Sequence, residues 1–407
     1  MVLATASIAG RRAGVPLSGR RCDSGVVFTS NNNGRAAARF MVCPYEENAM
    51  LRRSFLKNAA VAAAGTAALT ACAKKEDAGG APAVSTAKKT AIKWRLQTYA
   101  GAALAEHVIK PSIEAFNKAA NGEMVIELYF ADQLVPTGEL FRAMQAGTID
   151  AVQSDDDSMS APTDVRVFGG YFPFATRYSL DVPALFHKWG LNEIWAEAYG
   201  EVENVTWLSS GSWDPCHFNT VKPINKLADL KGLRIFTFPT AGKFLTRFGV
   251  VPVTLPWGDV QMAIQTGELD GLAWSGITED YTVGWADVTP YLLTNNISGA
   301  WIGSYFANTK SWEKVPPHLQ QLFKLCIDSS HYYRQHWYWA GEADLRVNGP
   351  KMKLTTIPAA EWGTVEAEAH KFWDEISKTS PRCAKVVDIF KKYNALQAKA
   401  GPPYRYA

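Results

Sequence analysis

From residue 92 onward the chain alternates between two hydrophobic rhythms. IKWRLQTYA (92–100) and MVIELYF (124–130) read as strands, and the stretch between them, 102–120, has helical spacing and stops at Asn121-Gly122. Strand, helix, strand is the opening of an α/β domain. A phrase then recurs: residues 143–152 read AMQAGTIDAV and residues 263–272 read AIQTGELDGL, with four of ten positions identical. In each copy a helical pattern (138–146, 259–266) meets a glycine, Gly147 or Gly267, and an apolar run comes next (149–152, 269–273). This predicts a helix, a glycine cap and a strand, twice over. Loops after matching strands of an open α/β sheet face its ligand crevice, and interdomain clefts are preferred sites for small ligands. The segments just past the two copies, QSDDDSMSAP (153–162) and WSGITEDY (274–281), are therefore the first places to look for chemistry. Residues 315–349 open with Pro-Pro and continue as one long helical pattern. In it His331 and His336 sit among Tyr332, Tyr333, Trp337, Tyr338 and Trp339, which reads as core or subunit interface rather than a metal site.

Ahead of this pattern, residues 51–72 read LRRSFLKNAAVAAAGTAALTAC. An Ala-rich run this short does not span a bilayer but suits a signal peptide. RRSFLK, with Arg52 and Arg53, resembles the twin-arginine export motif, and LTAC resembles a lipobox that would leave Cys72 acylated. Residues 1–49 fit nothing ahead of such a signal and read as a mis-annotated leader, with 50–72 the signal and 73–91 a flexible tether. The formal charge of +3 comes from this end: residues 1–72 hold nine Lys/Arg against three Asp/Glu, leaving 33 against 36 for the rest. A mildly acidic body without a basic stripe argues against a nucleic-acid partner. Cys216, Cys326 and Cys383 form neither a disulfide framework nor a zinc pattern and read as free thiols. No phosphate loop, nucleophile elbow or zinc helix motif is present, and Asp214 near His217 has no nucleophile beside it. Neither catalysis nor a metal or other cofactor is expected.

An exported chain carrying AMQAGTIDAVQ, KPINKLADLKGLRIF and VPVTLPWGDVQMAIQTGELDGLAW resembles the DctP-like solute receptors of tripartite ATP-independent periplasmic (TRAP) transporters. Within that family it resembles the branch that binds 2-oxo acids, over about residues 92–390. The resemblance implies an α/β, two-lobed periplasmic-binding-protein-like fold with crossing strands and a long C-terminal helix. It puts lobe I at 92–212 plus about 300–340, lobe II at 213–299 plus about 341–380, and a C-terminal helix and tail at 381–407. It also implies a small-molecule ligand, membrane permease subunits as partners, a periplasmic location with membrane contact through the lipid anchor alone, and a homodimer formed by swapping the helix at 381–400.

Two positions depart from that family. Where most members carry an arginine that grips the ligand carboxylate, DLKGLRIFTF (229–238) has Phe236, and Arg234 stands two residues earlier. Where the 2-oxo acid branch has a metal-holding Glu before Trp, this chain has Ala273-Trp274. A pocket lacking both cations holds a carboxylate poorly, because desolvating the anion is costly. The polar groups in their place are Asp155, Asp156 and Asp157 after the first strand, and Asp214 beside Trp213 in SGSWDPCH (210–217). Phe236 and Trp274 add ring faces, with Tyr171 and Phe172 as wall. Carboxylates and ring faces together suit an ammonium. The expected ligand is a small amine or amino alcohol, ethanolamine first. The alternatives are an organic acid held by Arg234, Lys243 or backbone amides, and a sensor feeding a signalling partner.

Overall fold

The computed structural model describes residues 91–401, together with an antiparallel pair, Thr29–Ser30 with Ala36–Ala37. That pair belongs to one unit, Met1–Thr86, and the remainder of the fold to another, Ala87–Ala407. Most of the leader, Arg52, Arg53, Cys72, the tether up to residue 90 and the tail from 402 lie outside the described residues.

The opening strands form as expected: β1 (Ile92–Thr98) runs parallel to β2 (Met124–Tyr129). The single helix expected over 102–120 is two, Ala102–Val108 and Lys110–Ala119. Pro111 is the reason. It has no N–H to give the preceding turn, so it begins a new helix instead of continuing the old one. β3 (Ala151–Ser154) pairs with the other edge of β1, and β4 (Val205–Ser212) completes the first pass. The chain then crosses to a second sheet through β5 (Phe218–Thr220), β6 (Arg234–Thr237), β7 (Val251–Val253), β8 (Gly271–Ala273) and β9 (Tyr291–Leu293). It returns as β10 (Ile302–Asn308), antiparallel between β3 and β4, and crosses once more to place β11 (Lys353–Thr355) at the second sheet's edge. The strand orders are β2-β1-β3-β10-β4 and β11-β9-β5-β8-β6-β7, one sheet to each lobe.

The two copies of the repeated phrase fold alike, as expected. Gly147 and Gly267 take φ of +77° and +75°, which a side chain would resist. The N–H groups of Thr148 and Ile149 both bond the Ala143 carbonyl, and those of Glu268 and Leu269 both bond that of Ala263. The shared aspartate also does one job twice. Asp150 accepts the Arg95 backbone N–H at 2.8 Å, and Asp270 accepts that of Arg234 at 2.9 Å, each on the neighbouring parallel strand.

The segments that cross between lobes pair with each other. Trp213 N–H donates to the Trp301 carbonyl at 3.0 Å, Trp301 N–H to Asp214 at 2.9 Å, and Cys216 N–H to Ser298 at 2.9 Å. The long helix, Pro317–Asn348, packs on Lys110–Ala119 in the first lobe and on Ile277–Val283 in the second. The helix Pro381–Ala400, expected to swap into a partner, lies on its own chain. Its stripe of Cys383, Val386, Val387, Phe390 and Tyr393 is buried. Phe390 packs on Phe168 and Phe172, the Tyr393 hydroxyl donates to Asp181 at 2.6 Å, and Arg382 pairs with Asp164 at 2.7 Å.

Candidate ligand-binding site

The paired crossing segments bring Trp213, Asp214 and Trp301 together between the lobes. From there ring contacts run in a circuit that closes on itself. Trp213 meets Trp301 at 4.7 Å between centroids, Trp301 meets Tyr99 at 4.8 Å, and Tyr99 meets Trp257 at 6.0 Å. Trp257 then meets Trp274 at 5.4 Å, Trp274 stacks on Phe238 at 3.9 Å, and Phe238 meets Tyr171 edge-on at 5.0 Å. The Tyr171 hydroxyl closes the circuit by donating to Asp214 at 2.9 Å. Phe236 backs it, stacked on Trp274 at 4.6 Å. All of these rings are buried except Trp257, which is partly so.

Three carboxylates stand at this circuit. Asp214 also accepts the Gly276 N–H at 2.8 Å. Glu279, from the helix Ile277–Val283, is 1 % exposed and accepts the Tyr338 hydroxyl at 2.9 Å through one oxygen. Its other oxygen is buried without a partner among the described residues. Asp280 accepts the Ser275 hydroxyl at 2.6 Å. Burial, then the charge of the neighbouring carboxylates, raises Glu279 well above the usual carboxylate range. Burial likewise raises Asp214 and Asp280. The same field reaches the rings. Burial first, then the Glu279 and Asp214 charges, lifts the phenols of Tyr99 and Tyr338 well above their ordinary value.

Two buried or half-buried cations lie nearby, and both have other partners. Arg334 lies 3.7 Å over the Trp213 ring, donates to the carbonyls of Ser212 at 3.2 Å and Val108 at 3.4 Å, and also bonds the Ser330 hydroxyl and His331. Arg346 pairs with Glu342 at 3.0 Å and donates to His217 Nε2 at 3.0 Å. His217 gives its Nδ1 proton to the Leu293 carbonyl at 2.8 Å, and burial holds it neutral, down to about 3. No basic side chain among the described residues pairs with Asp214, Glu279 or Asp280.

Of the residues singled out in the sequence, Trp213, Asp214, Tyr171 and Trp274 belong to the circuit, with Phe236 behind it. The aspartate run divides three ways. Asp155 lies against Gly170 and is pushed up to about 8 by burial; Gly170 has φ of +69°, and a Cβ there would crowd Asp155 and Phe238 at 3.2 and 3.1 Å. Asp156 turns into the first lobe's core, where Trp195 and Tyr199 donate to it at 2.9 and 2.7 Å. Asp157 reaches across to the other lobe and accepts the Thr240 N–H at 2.7 Å. Phe172 is core as well, packed on Phe372, Trp373 and Phe390 beneath the C-terminal helices. Arg234 pairs with Asp270 at 2.9 Å with its side chain 43 % exposed, at the strand end away from the circuit, and Lys243 is exposed. Glu279, Tyr338, Tyr99, Trp257 and Trp301 went unrecognised. Glu279 left a trace as part of WSGITEDY, and Tyr338 was read as core or subunit interface. Among the described residues no three His, Cys, Asp or Glu side chains are placed to hold a metal ion, and no helix is long and apolar enough to cross a membrane.

Comparison with known proteins places the chain in a family and shows its fold in solved relatives. Residues 106–379 match the family described as bacterial extracellular solute-binding protein, family 7 (DctP). A TRAP periplasmic solute-binding protein from Chromohalobacter salexigens, solved with bound (S)-(+)-2-amino-1-propanol, is 68 % identical with a TM-score of 0.75, over 78 % of this chain and 99 % of that one. A monocarboxylate 2-oxoacid-binding periplasmic protein from Nostoc is 24 % identical over 86 % of this chain and 94 % of its own length. A TRAP solute-binding protein from Pseudoalteromonas atlantica, solved with sodium and pyruvate, shares the fold at 20 % identity and a TM-score of 0.68, over 76 % of this chain and 95 % of that one.

Proposed function

The chain belongs to the bacterial extracellular solute-binding proteins of family 7, and from that premise we propose that its interlobe site captures a small amine or amino alcohol, ethanolamine first. As a TRAP-type receptor it binds a solute outside the cytoplasm and works with membrane permease subunits; it is not an enzyme. The observation that carries the ligand assignment is the buried pair Asp214 and Glu279 at a closed circuit of rings, with no basic side chain among the described residues paired to it. Unpaired buried charge is expensive. An ammonium removes that cost, bonds the carboxylates directly and gains roughly 0.5–2 kcal/mol from each well-placed ring face. The 68 % identical protein solved with 2-amino-1-propanol supports the same ligand class. An organic acid would add a further carboxylate to a site that already holds three. Neither Arg234, held by Asp270, nor exposed Lys243 stands there to receive it.

Calorimetric titration with ethanolamine and with pyruvate, side by side, tests the assignment. Ethanolamine should bind and pyruvate should not; tight pyruvate binding without amine binding would overturn it. Arg52-Arg53 and Cys72 further support twin-arginine export and a lipid tether. The mass of the protein extracted from membranes checks that, an acylated Cys72 being the expected N-terminus.

A further inference from the structure

Trp213 and Trp301 touch at 4.7 Å, and both indole N–H groups are buried without an acceptor among the described residues. An indole N–H only donates. Leaving one buried and unbonded is costly, so native proteins rarely do it without a reason. Here it happens twice, on neighbouring rings that the crossing segments clamp together through Trp213 N–H to Trp301 O and Trp301 N–H to Asp214 O. The same circuit holds the partnerless oxygen of Glu279. Among the described residues the site thus presents unused carboxylate oxygens on Glu279 and Asp280 and two unused indole donors.

We propose that the indole N–H groups of Trp213 and Trp301 bind the hydroxyl oxygen of the ligand and so select amino alcohols over simple amines. This rests on the reading of the site as an ammonium trap. The complement is chemical: an ammonium supplies donors to Glu279 and Asp214, and a hydroxyl one or two carbons away supplies the acceptor that the indoles lack. An alkylamine that lacks the hydroxyl, such as ethylamine, satisfies the carboxylates and leaves both indoles unbonded. A site built to bond a substrate hydroxyl rejects the analogue without it far more strongly than an apolar pocket rejects a size change.

The test is calorimetry on the wild-type receptor with ethanolamine and with ethylamine. The same pair is then titrated into Trp213→Phe and Trp301→Phe, with thermal melts to establish that each variant folds. Ethanolamine should bind about 100-fold more tightly than ethylamine, the scale of two unmade buried hydrogen bonds. Each folded variant should lower that ratio by about tenfold. Equal binding of the two ligands by the wild type overturns the hydroxyl assignment and leaves the ammonium site standing. Binding of neither overturns the ammonium site itself. A full ratio retained in both folded variants assigns the discrimination elsewhere and rejects the role of the indoles.

Discussion

The two copies of the repeated phrase share a helix, a left-handed glycine, a strand and an aspartate that bonds the neighbouring strand. Their downstream loops differ. After β3, one oxygen of Asp156 takes two side-chain donors in the first lobe's core, where its other oxygen lies away from the ring circuit, and Asp157 takes a backbone N–H of the second lobe. After β8, Trp274 and Glu279 keep a ring face in the circuit and an oxygen without a partner. One scaffold therefore carries two kinds of loop. The run of three adjacent acids serves mostly as structure, and the short helix after β8 carries two buried acids, Glu279 and Asp280, each with an oxygen left for a ligand.

The largest effect should come from Phe236→Arg, which puts a guanidinium behind Trp274. Ethanolamine binding should fall beyond detection by calorimetry, because a fixed cation repels the ammonium across a poorly screened interior. Next, Glu279→Gln and Asp156→Asn should separate cleanly. The first should weaken ethanolamine binding by about 1.5–3 kcal/mol, the range for hydrogen bonds to charged groups, with little change in melting temperature. The second should lower the melting temperature by an amount equivalent to about 1–3 kcal/mol, with affinity unchanged, since it disturbs the bonds from Trp195 and Tyr199. If the Asp156 change abolishes binding while the Glu279 change does not, the contrast between the loops is reversed.

Much of the fold was legible. The repeat announced itself because helix, glycine and strand each leave a local mark, and the glycine at φ above +70° admits few substitutes. The long helix was readable from its period; which of its aromatics faced the site was not, and Tyr338 turned out buried while Tyr332 and Trp339 are 72 and 75 % exposed. The site was half legible. Asp214 and Trp274 stand near recognisable phrases. Trp301 lies in no motif and matters only because a crossing segment pairs it with Trp213, a tertiary fact that no local pattern records. Glu279 lay in a segment marked for chemistry but was not singled out, because a helix of about two turns has too little period to reveal which side is buried.

A smaller effect concerns pH. Burial pushes Asp155 up to about 8, against roughly 4 in an unfolded chain. Between these values the folded protein holds more protons than the unfolded one, so the ligand-free melting temperature should fall as pH rises from 5 to 9. Raised Asp214 and Glu279 act in the same direction. An ammonium favours the ionised carboxylates, so the thermal shift given by ethanolamine should grow over the same window; a shift independent of pH contradicts the charge account. The smallest effect is expected at Arg234→Gln. Its pair with Asp270 is partly open to solvent, so stability should change little and ethanolamine affinity not at all.

The most direct measurement is a crystal structure of the receptor soaked with ethanolamine. The account predicts the ligand nitrogen inside the ring circuit, about 2.7–2.9 Å from a carboxylate oxygen of Asp214 or Glu279. A ligand anion in that place, or an ammonium bound elsewhere with Glu279 turned to solvent, would contradict it.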